Sequence, residues 1–133
     1  MDDIFVARLM SSDLHTVTPE TLVEDAARVM LENGIGSVVV VDDDRQLEGI
    51  LTSTDFVRIV AERKPKHETP VSAYVTEDVV TAGAQDSIRD AADAMMEHGF
   101  HHLPVVDEGE VIGILTTTDL TGYLSHVQTP SPS

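Results

Sequence analysis

The sequence predicts an α/β fold made of two copies of one unit, each with the order strand–helix–strand–strand–helix. The stretch Gly49–Asp55 returns 64 residues later as Gly113–Asp119. A shift of 65 residues places Asp25–Ala27 on Asp90–Ala92. Within each copy the apolar residues alternate between helical spacing and short continuous runs typical of buried strands. Because units of about 60 residues are marginal alone, we expect the two repeats to pack together, with pseudo-two-fold symmetry.

The helices are predicted from apolar residues three and four positions apart. A lead-in with helical character spans Phe5–Met10 and precedes a short strand at Thr16 and Val17. The first long helix of each repeat then carries one apolar face, with methionines read as core filler. Gly34 and Gly99 stand where these helices end and a left-handed residue is favoured. The predicted faces are Val23, Ala26, Ala27, Met30 and Leu31 in the first repeat, and Ile88, Ala91, Ala92, Met95 and Met96 in the second.

Two hairpins follow these helices. Val38–Val41 and Leu103–Val106 read as the first strand of each hairpin, with Pro104 expected near a strand start or an edge. The acidic run Asp42–Asp44 is better explained as a solvated turn than as a metal site. The return strands are predicted at Leu47–Leu51 and Val111–Leu115, and each leads into a second helix.

The duplication also divides the chain into domains. We assign residues 1–66 to the first repeat with its lead-in, residues 67–127 to the second repeat, and residues 128–133 to a flexible tail. The connection from Glu62 to Pro70 contains Arg63, Lys64 and Lys66 and reads as a polar linker.

The composition limits the classes of function. The chain has 24 acidic and 8 basic residues, a net charge of −16 and no cysteine. A surface of this sign repels phosphates, so general electrostatic binding of nucleic acid is disfavoured. No apolar run is long enough to cross a membrane, and no signal peptide is evident, so a cytoplasmic protein is expected. The acidic surface suits a salt-rich cytoplasm, where self-repulsion is screened.

The repeated turn carries the chemistry. In both copies an apolar strand is followed by hydroxyl residues, an aspartate and a helix. The N–H groups at a helix N-terminus suit a phosphate, and a carboxylate suits a pair of neighbouring hydroxyls such as a ribose diol. Serine, threonine and aspartate also cap helices without any ligand, so helix capping is the alternative explanation. No nucleophile–base pair is evident, so an enzyme is not predicted.

This duplicated order, with Gly-Ile-Leu-Thr-x-Thr-Asp in both halves, resembles the CBS domain, named from cystathionine beta-synthase. Two together resemble a tandem CBS pair, or Bateman module, over about residues 5–125. The resemblance implies a homodimeric regulatory module with no required cofactor. It would bind an adenosine-containing metabolite (AMP, ADP, ATP or S-adenosylmethionine) in the cleft between the repeats and signal in trans to a protein partner not identified by the sequence.

The resemblance also implies which residues bind the ligand. The aspartates would hold the ribose, with hydroxyls beside them, and the segments before the first and second strands would line the adenine pocket and reach phosphate. Asp13 and Asp78 lie near these segments. The implied residues are His15, Ile35, Gly36, Ser37, Thr52, Thr54 and Asp55 in the first repeat, and Val80, Phe100, His101, His102, Thr116, Thr118 and Asp119 in the second.

The two halves differ at the phosphate-facing segment. Relatives that bind phosphorylated adenosines often carry basic residues where His101 and His102 stand, so the site ending in Asp119 is expected to be the better phosphate site. Alternatively, the two histidines are half-buried residues at a strand entry. A metal site with His98 is a weaker hypothesis because no cysteine or fourth ligand accompanies them. At the level of function, the alternatives are an interaction scaffold with vestigial pockets and, less favoured, a metal sensor.

Overall fold

The computed structural model describes residues 4–63, 65, 67–75 and 79–128. Lys64, Lys66, Asp78 and residues 129–133 of the predicted tail lie outside this set. The chain forms two compact units, and both mix α-helices with a small β-sheet. The α/β class and the two repeats predicted from the sequence are confirmed. None of the helices in the described part of the chain combines the length and apolar composition needed to span a bilayer.

The first-repeat unit comprises the described residues of Leu14–Val79 and Glu108–Val111. Its elements are β1 (Thr16–Val17), α2 (Val23–Asn33), β2 (Ser37–Val41), β3 (Leu47–Thr52) and α3 (Ser53–Glu62). The sheet order is β1-β2-β3, with β1 parallel and β3 antiparallel to β2. A 3-10 turn at Val71–Ala73 completes the unit.

The second-repeat unit comprises the described residues of Met1–Asp13, Val80–Asp107 and Ile112–Ser133. It begins with α1 (Val6–Leu9) and continues with β4 (Ala82–Gly83), α4 (Ile88–His98), β5 (His102–Asp107), the part of β6 (Glu110–Thr116) that begins at Ile112, and α5 (Thr117–Gln128). The sheet order is β4-β5-β6, and β4 is parallel to β5. Both units therefore follow the predicted strand–helix–strand–strand–helix order.

The lead-in and the 3-10 turn after the linker contribute to the units in an unexpected way. Val6 is fully buried in the core of the second-repeat unit, while its equivalent by the 65-residue shift, Val71, is fully buried in the core of the first-repeat unit. The predicted domain boundaries follow the duplicated sequence and stay a prediction. The contacts, in contrast, place the lead-in with the second repeat and the 3-10 turn with the first.

Gly113 explains how the lead-in reaches this position. Ser11 and Ile114 exchange backbone hydrogen bonds of 2.8 and 3.0 Å, which bring the lead-in against β6. A Cβ atom on Gly113 would lie 2.6 Å from the Met10 sulfur and 3.0 Å from the Ser11 carbonyl oxygen. A side chain at this position would therefore push the lead-in away from the strand.

Local signals in the sequence account for most helix and strand ends. Gly34 and Gly99 end α2 and α4 with φ angles of 62° and 70°, the left-handed conformation expected there. The acidic turn is an Asx turn, because the Asp42 carboxylate accepts the N–H groups of Asp44 and Gln46. Pro104 lies inside β5, but the pairing with β4 begins only at Val105. It therefore precedes the part of β5 that pairs with β4.

The predicted helix faces are wrong at one equivalent position in each repeat. Val23, Ala26 and Met30 are buried on α2, but Leu31 is 83% exposed. On α4 the equivalent Met96 is 81% exposed. A helix buries only the strip that faces its own sheet, and the apolar stripe of both helices is wider than that strip.

The core makes a testable prediction about stability. We expect Leu51→Ala to lower the free energy of unfolding by about 2–5 kcal/mol, because the leucine is fully buried and its removal leaves a cavity. Leu124→Ala is the control, since Leu124 is 46% exposed and its loss should cost within about 0.5 kcal/mol. Urea unfolding followed by circular dichroism measures both. Equal losses in the two variants would contradict the assigned core.

Candidate functional site

In the first-repeat unit the turn from β3 to α3 is held by Asp55. Its Oδ2 accepts the backbone N–H of Thr52 at 2.8 Å and lies 3.3 Å from the Thr52 hydroxyl oxygen. Thr52 is the N-cap of α3 and Asp55 is the third residue of the helix, so the two form a capping box. The acidic side chain also complements the helix dipole. The aspartate is therefore fixed in place by its own helix.

The second-repeat unit repeats this geometry at the turn from β6 to α5. The Thr116 N–H donates to Oδ2 of Asp119 at 2.9 Å, and the Asp119 N–H donates to the Thr116 hydroxyl at 3.1 Å. Both aspartates therefore cap their helices, which is the alternative explanation that the sequence offered. These bonds use only Oδ2 of each carboxylate. Oδ1 is therefore the oxygen left to contact another group at each turn.

The segment after the first long helix is brought against the same turn. Ser53 donates from its backbone N–H to the Gly36 carbonyl at 3.1 Å, and its hydroxyl lies 3.3 Å from the same oxygen. In the second repeat the Thr117 N–H donates to the His101 carbonyl at 3.0 Å. The predicted ligand residues on the two segments of each repeat are therefore neighbours.

Backbone bonds fix the orientation of these segments. The Ile35 N–H donates to Met30 and the Phe100 N–H to Met95, each at 3.0 Å across the left-handed end of the helix. Ser37 is buried and is paired with Thr52 in the sheet register. The orientation of both segments is thus fixed by the sheet and by the helix end, so neither is a free loop.

The remaining predicted residues lie at the entry of the first strand of each unit. His15 precedes β1 and Val80 precedes β4, and both are half-buried. Val80 packs against the core of its unit. Asp13 is exposed, while the equivalent Asp78 is outside the described residues. Thr54 and Thr118 are exposed, so their hydroxyls face solvent beside the aspartates.

The histidines of the second repeat occupy different environments. His101 is exposed, and His102 is half-buried at the start of β5. Burial, and then the neighbouring His101, lower the pKa of His102 below its ordinary value, against the opposite effect of the Asp119 carboxylate. His98 stacks on Phe100 with 5.8 Å between ring centroids. No group of three His, Cys, Asp or Glu side chains suited to a metal occurs in the described part of the chain.

Arg58 and Tyr74 are neighbours of the first turn that the sequence analysis missed. The Nη2 atom of Arg58 lies 3.6 Å from Oδ1 of Asp55, the carboxylate oxygen that the capping box leaves unused. Its guanidinium carbon lies 5.7 Å from the centre of the Tyr74 ring. The spacing of three residues along a helix could have indicated the ion pair, whereas the contact with Tyr74 depends on the tertiary fold.

Two equivalent turns, each with a capped carboxylate beside a helix N-terminus, define a duplicated α/β module with two candidate ligand sites. The chain belongs to the CBS domain family, whose model matches residues 6–62 and 71–126. The two matches make it a CBS pair, which is a regulatory module.

Related sequences cover nearly the whole chain. An uncharacterized 17.7 kDa protein of Acidianus ambivalens is 33% identical over 125 residues, which are 93% of this chain and 75% of that protein. A homoserine O-acetyltransferase of Methanosalsum zhilinae is 35% identical over 127 residues, 95% of this chain but 25% of the enzyme. The chain therefore spans only a quarter of that enzyme's length.

Solved structures share the fold. A protein with CBS domains from Burkholderia ambifaria superposes with a TM-score of 0.88 at 31% identity, covering 98% of this chain and 100% of that one. The CBS domain pair of protein MJ0100, solved with 5'-methylthioadenosine and S-adenosyl-L-methionine, has a TM-score of 0.88 at 23% identity, covering 96% and 100%.

The lowered pKa of His102 predicts a pH dependence of stability. The unfolded state binds a proton at this position more readily than the folded state, so acidification below about pH 6.5 favours unfolding. We expect wild type to lose more stability between pH 7.5 and 5.5 than His102→Asn does. Urea unfolding at the two pH values measures the difference, with His67→Asn, at an exposed histidine, as the control. Equal losses in wild type and His102→Asn would contradict this assignment.

Proposed function

We propose that this CBS pair binds an adenosine-containing metabolite at its strand-to-helix turns and passes the bound state to a protein partner in trans. The observation that carries the proposal is the duplicated carboxylate, fixed by one oxygen at a helix N-terminus and placed beside hydroxyl residues. A carboxylate so placed suits the two hydroxyls of a ribose. The ligands of MJ0100, both adenosine derivatives, support this ligand class.

The residues proposed to bind the ligand have defined roles. Asp55 and Asp119 accept from the ribose hydroxyls, with Thr52, Thr54, Thr116 and Thr118 beside them. The segments 35–37 and 100–102 approach the base and the phosphate, and His15 and Val80 contribute to the base pocket. The hydrogen bonds from Ser53 to Gly36 and from Thr117 to His101 support this grouping.

The proposed mechanism is linkage rather than catalysis. A ligand that binds one conformation of the module better than another shifts the population of conformations and hence the affinity for the partner. The Asp119 carboxylate and the Thr116 hydroxyl are held in place by hydrogen bonds from backbone N–H groups, an arrangement suited to holding a ligand. In the longer homoserine O-acetyltransferase, the segment that matches this chain makes up a quarter of the enzyme.

The second candidate function is an interaction scaffold with vestigial pockets. The capping boxes favour it, because they explain both aspartates without any ligand. The two functions are separated by calorimetry with AMP, ATP and S-adenosylmethionine. Binding of none of the three by the folded protein would favour the scaffold.

Replacing one aspartate tests the ribose assignment. We expect Asp119→Asn to weaken adenosine-ligand binding at that site by about 1.5–3 kcal/mol, since the charged acceptor of two hydroxyls is lost. The amide oxygen of asparagine still accepts the Thr116 N–H, so the helix cap is kept. Isothermal titration calorimetry measures the affinity, with Asp107→Asn at the exposed end of β5 as the control. An unchanged affinity in Asp119→Asn would refute the assignment.

The acidic surface bears on how these measurements are made. A net charge of −16 repels anionic ligands in dilute buffer, and roughly molar salt shortens the Debye length to about 3 Å. We propose that the protein works in a salt-rich cell, so binding is best measured in molar potassium chloride as well as in dilute buffer.

We propose that the module forms a homodimer through exposed apolar side chains on its helices. Leu31 and Met96 occupy equivalent positions of α2 and α4, and α3 exposes Val57 and Val60. Exposed apolar side chains repeated at equivalent positions favour an interface over chance exposure.

A pair of charged substitutions tests the homodimer. We expect Leu31→Glu together with Met96→Glu to convert a wild-type dimer to a monomer, because the carboxylates would be buried without partners. Analytical ultracentrifugation measures the mass. Gln85→Glu is the control, as it adds negative charge at another exposed position. A wild type that is monomeric, or a double variant that is still dimeric, would contradict this interface.

A further inference from the structure

The internal duplication provides a comparison between the two turns within one chain. Three residues after the repeated aspartate, the first repeat has Arg58 and the second has Gly122. The guanidinium of Arg58 lies 3.6 Å from Oδ1 of Asp55. A Cβ atom on Gly122 would meet no heavy atom within 4 Å, so the second repeat has space but no cation at this position.

A second difference accompanies the first. The shift that aligns the repeats places Tyr74 on Leu9. Tyr74 is buried in the core of the first-repeat unit, with its ring under the Arg58 guanidinium. Leu9 packs in the second-repeat unit and offers no aromatic face. The first repeat therefore has both the cation and the ring that positions it, and the second repeat has neither.

These contacts change the charge of the first turn. The Asp55 side chain is only 12% exposed, and the capping box leaves its Oδ1 directed to Arg58. An arginine is charged at all relevant pH values, so it compensates the carboxylate permanently. At the second turn the Asp119 carboxylate acts electrostatically on His102, which is half-buried, has a lowered pKa and is neutral near pH 7. A phosphate brought to the second turn thus meets a carboxylate without a fixed cation.

We propose that Arg58 is a specificity-determining residue that makes the turn of Asp55 select phosphorylated adenosine ligands over uncharged ones, a selection that the turn of Asp119 does not make at neutral pH. The proposal rests on the proposed function and names the ligand class of one site. It opposes the expectation that His101 and His102 make the site of Asp119 the better phosphate site, and the experiment below separates the two.

The test measures two probes that differ in charge at one position. AMP and 5'-methylthioadenosine share the adenosine and differ in the 5' substituent. Titration calorimetry at pH 7.5 gives their affinities in an Asp119→Asn background, which isolates the first site, and in an Asp55→Asn background, which isolates the second. The salt concentration is the lowest at which circular dichroism shows the protein folded, since higher salt screens the effect.

We expect the first site to prefer AMP, and Arg58→Gln to reduce that preference roughly tenfold by weakening AMP, the size of one lost charge-assisted interaction. Glutamine keeps the helix, whereas glycine would weaken it. Arg58→Lys, which keeps the charge, should retain most of the preference. Gly122→Arg should create a smaller preference of the same sign at the second site, where the side chain has space but no aromatic ring to position it.

Three outcomes would overturn the inference. If both probes bind and Arg58→Gln leaves their ratio unchanged, the proposed function stands and the role of Arg58 is wrong. If the preference for AMP occurs at the second site and is lost on replacing His101 and His102 by glutamine, the expectation drawn from the histidines is correct instead. If neither probe binds the folded protein, the proposed function itself fails, and the inference with it.

Discussion

In each repeat the turn from strand to helix depends on one aspartate carboxylate. Asp55 and Asp119 each use Oδ2 to accept the backbone N–H of the threonine that precedes the helix. This bond fixes where the helix begins, and through Ser53 and Thr117 the same turn is joined to the segment after the first long helix. A side chain that is needed for the cap cannot rotate away when a site is empty. The geometry of each turn is therefore set by folding.

The duplication preserves this geometry but not its charge. Equivalent backbone bonds differ by about 0.1 Å between the repeats, whereas the neighbouring cations differ in kind. In one turn a guanidinium is held between a carboxylate and a tyrosine ring, and in the other a titratable imidazole lies near the carboxylate. The backbone is constrained by the sheet and the helix, so side chains on the helix surface are free to diverge. The two turns thus share a backbone geometry but differ in their charged neighbours.

Much of the fold follows from local signals in the sequence, and the missing parts have tertiary causes. The helix ends at Gly34 and Gly99 and the order of elements are readable because periodicity and capping are properties of short segments. The exposure of Leu31 cannot be predicted from the local sequence, since it depends on how wide a strip of the helix the sheet covers. Of the site, the turns and their neighbouring segments are predicted by the repeat. The position of Tyr74 under Arg58 could be predicted only by knowing that the segment after the linker packs on the first repeat, which no local pattern indicates.

The lead-in packs in the second-repeat unit, and the Val71–Ala73 turn packs in the first-repeat unit. This packing affects the order in which the chain can acquire its structure during synthesis. The core of the first-repeat unit requires Val71, which leaves the ribosome only after that repeat is complete. The core of the second-repeat unit requires Val6, which is made before the rest of that core and has no core to enter until about a hundred further residues exist. Neither half of the chain carries its own complete interior. A ribosome-bound nascent chain must therefore keep its first turn of helix unburied until the last strand has emerged.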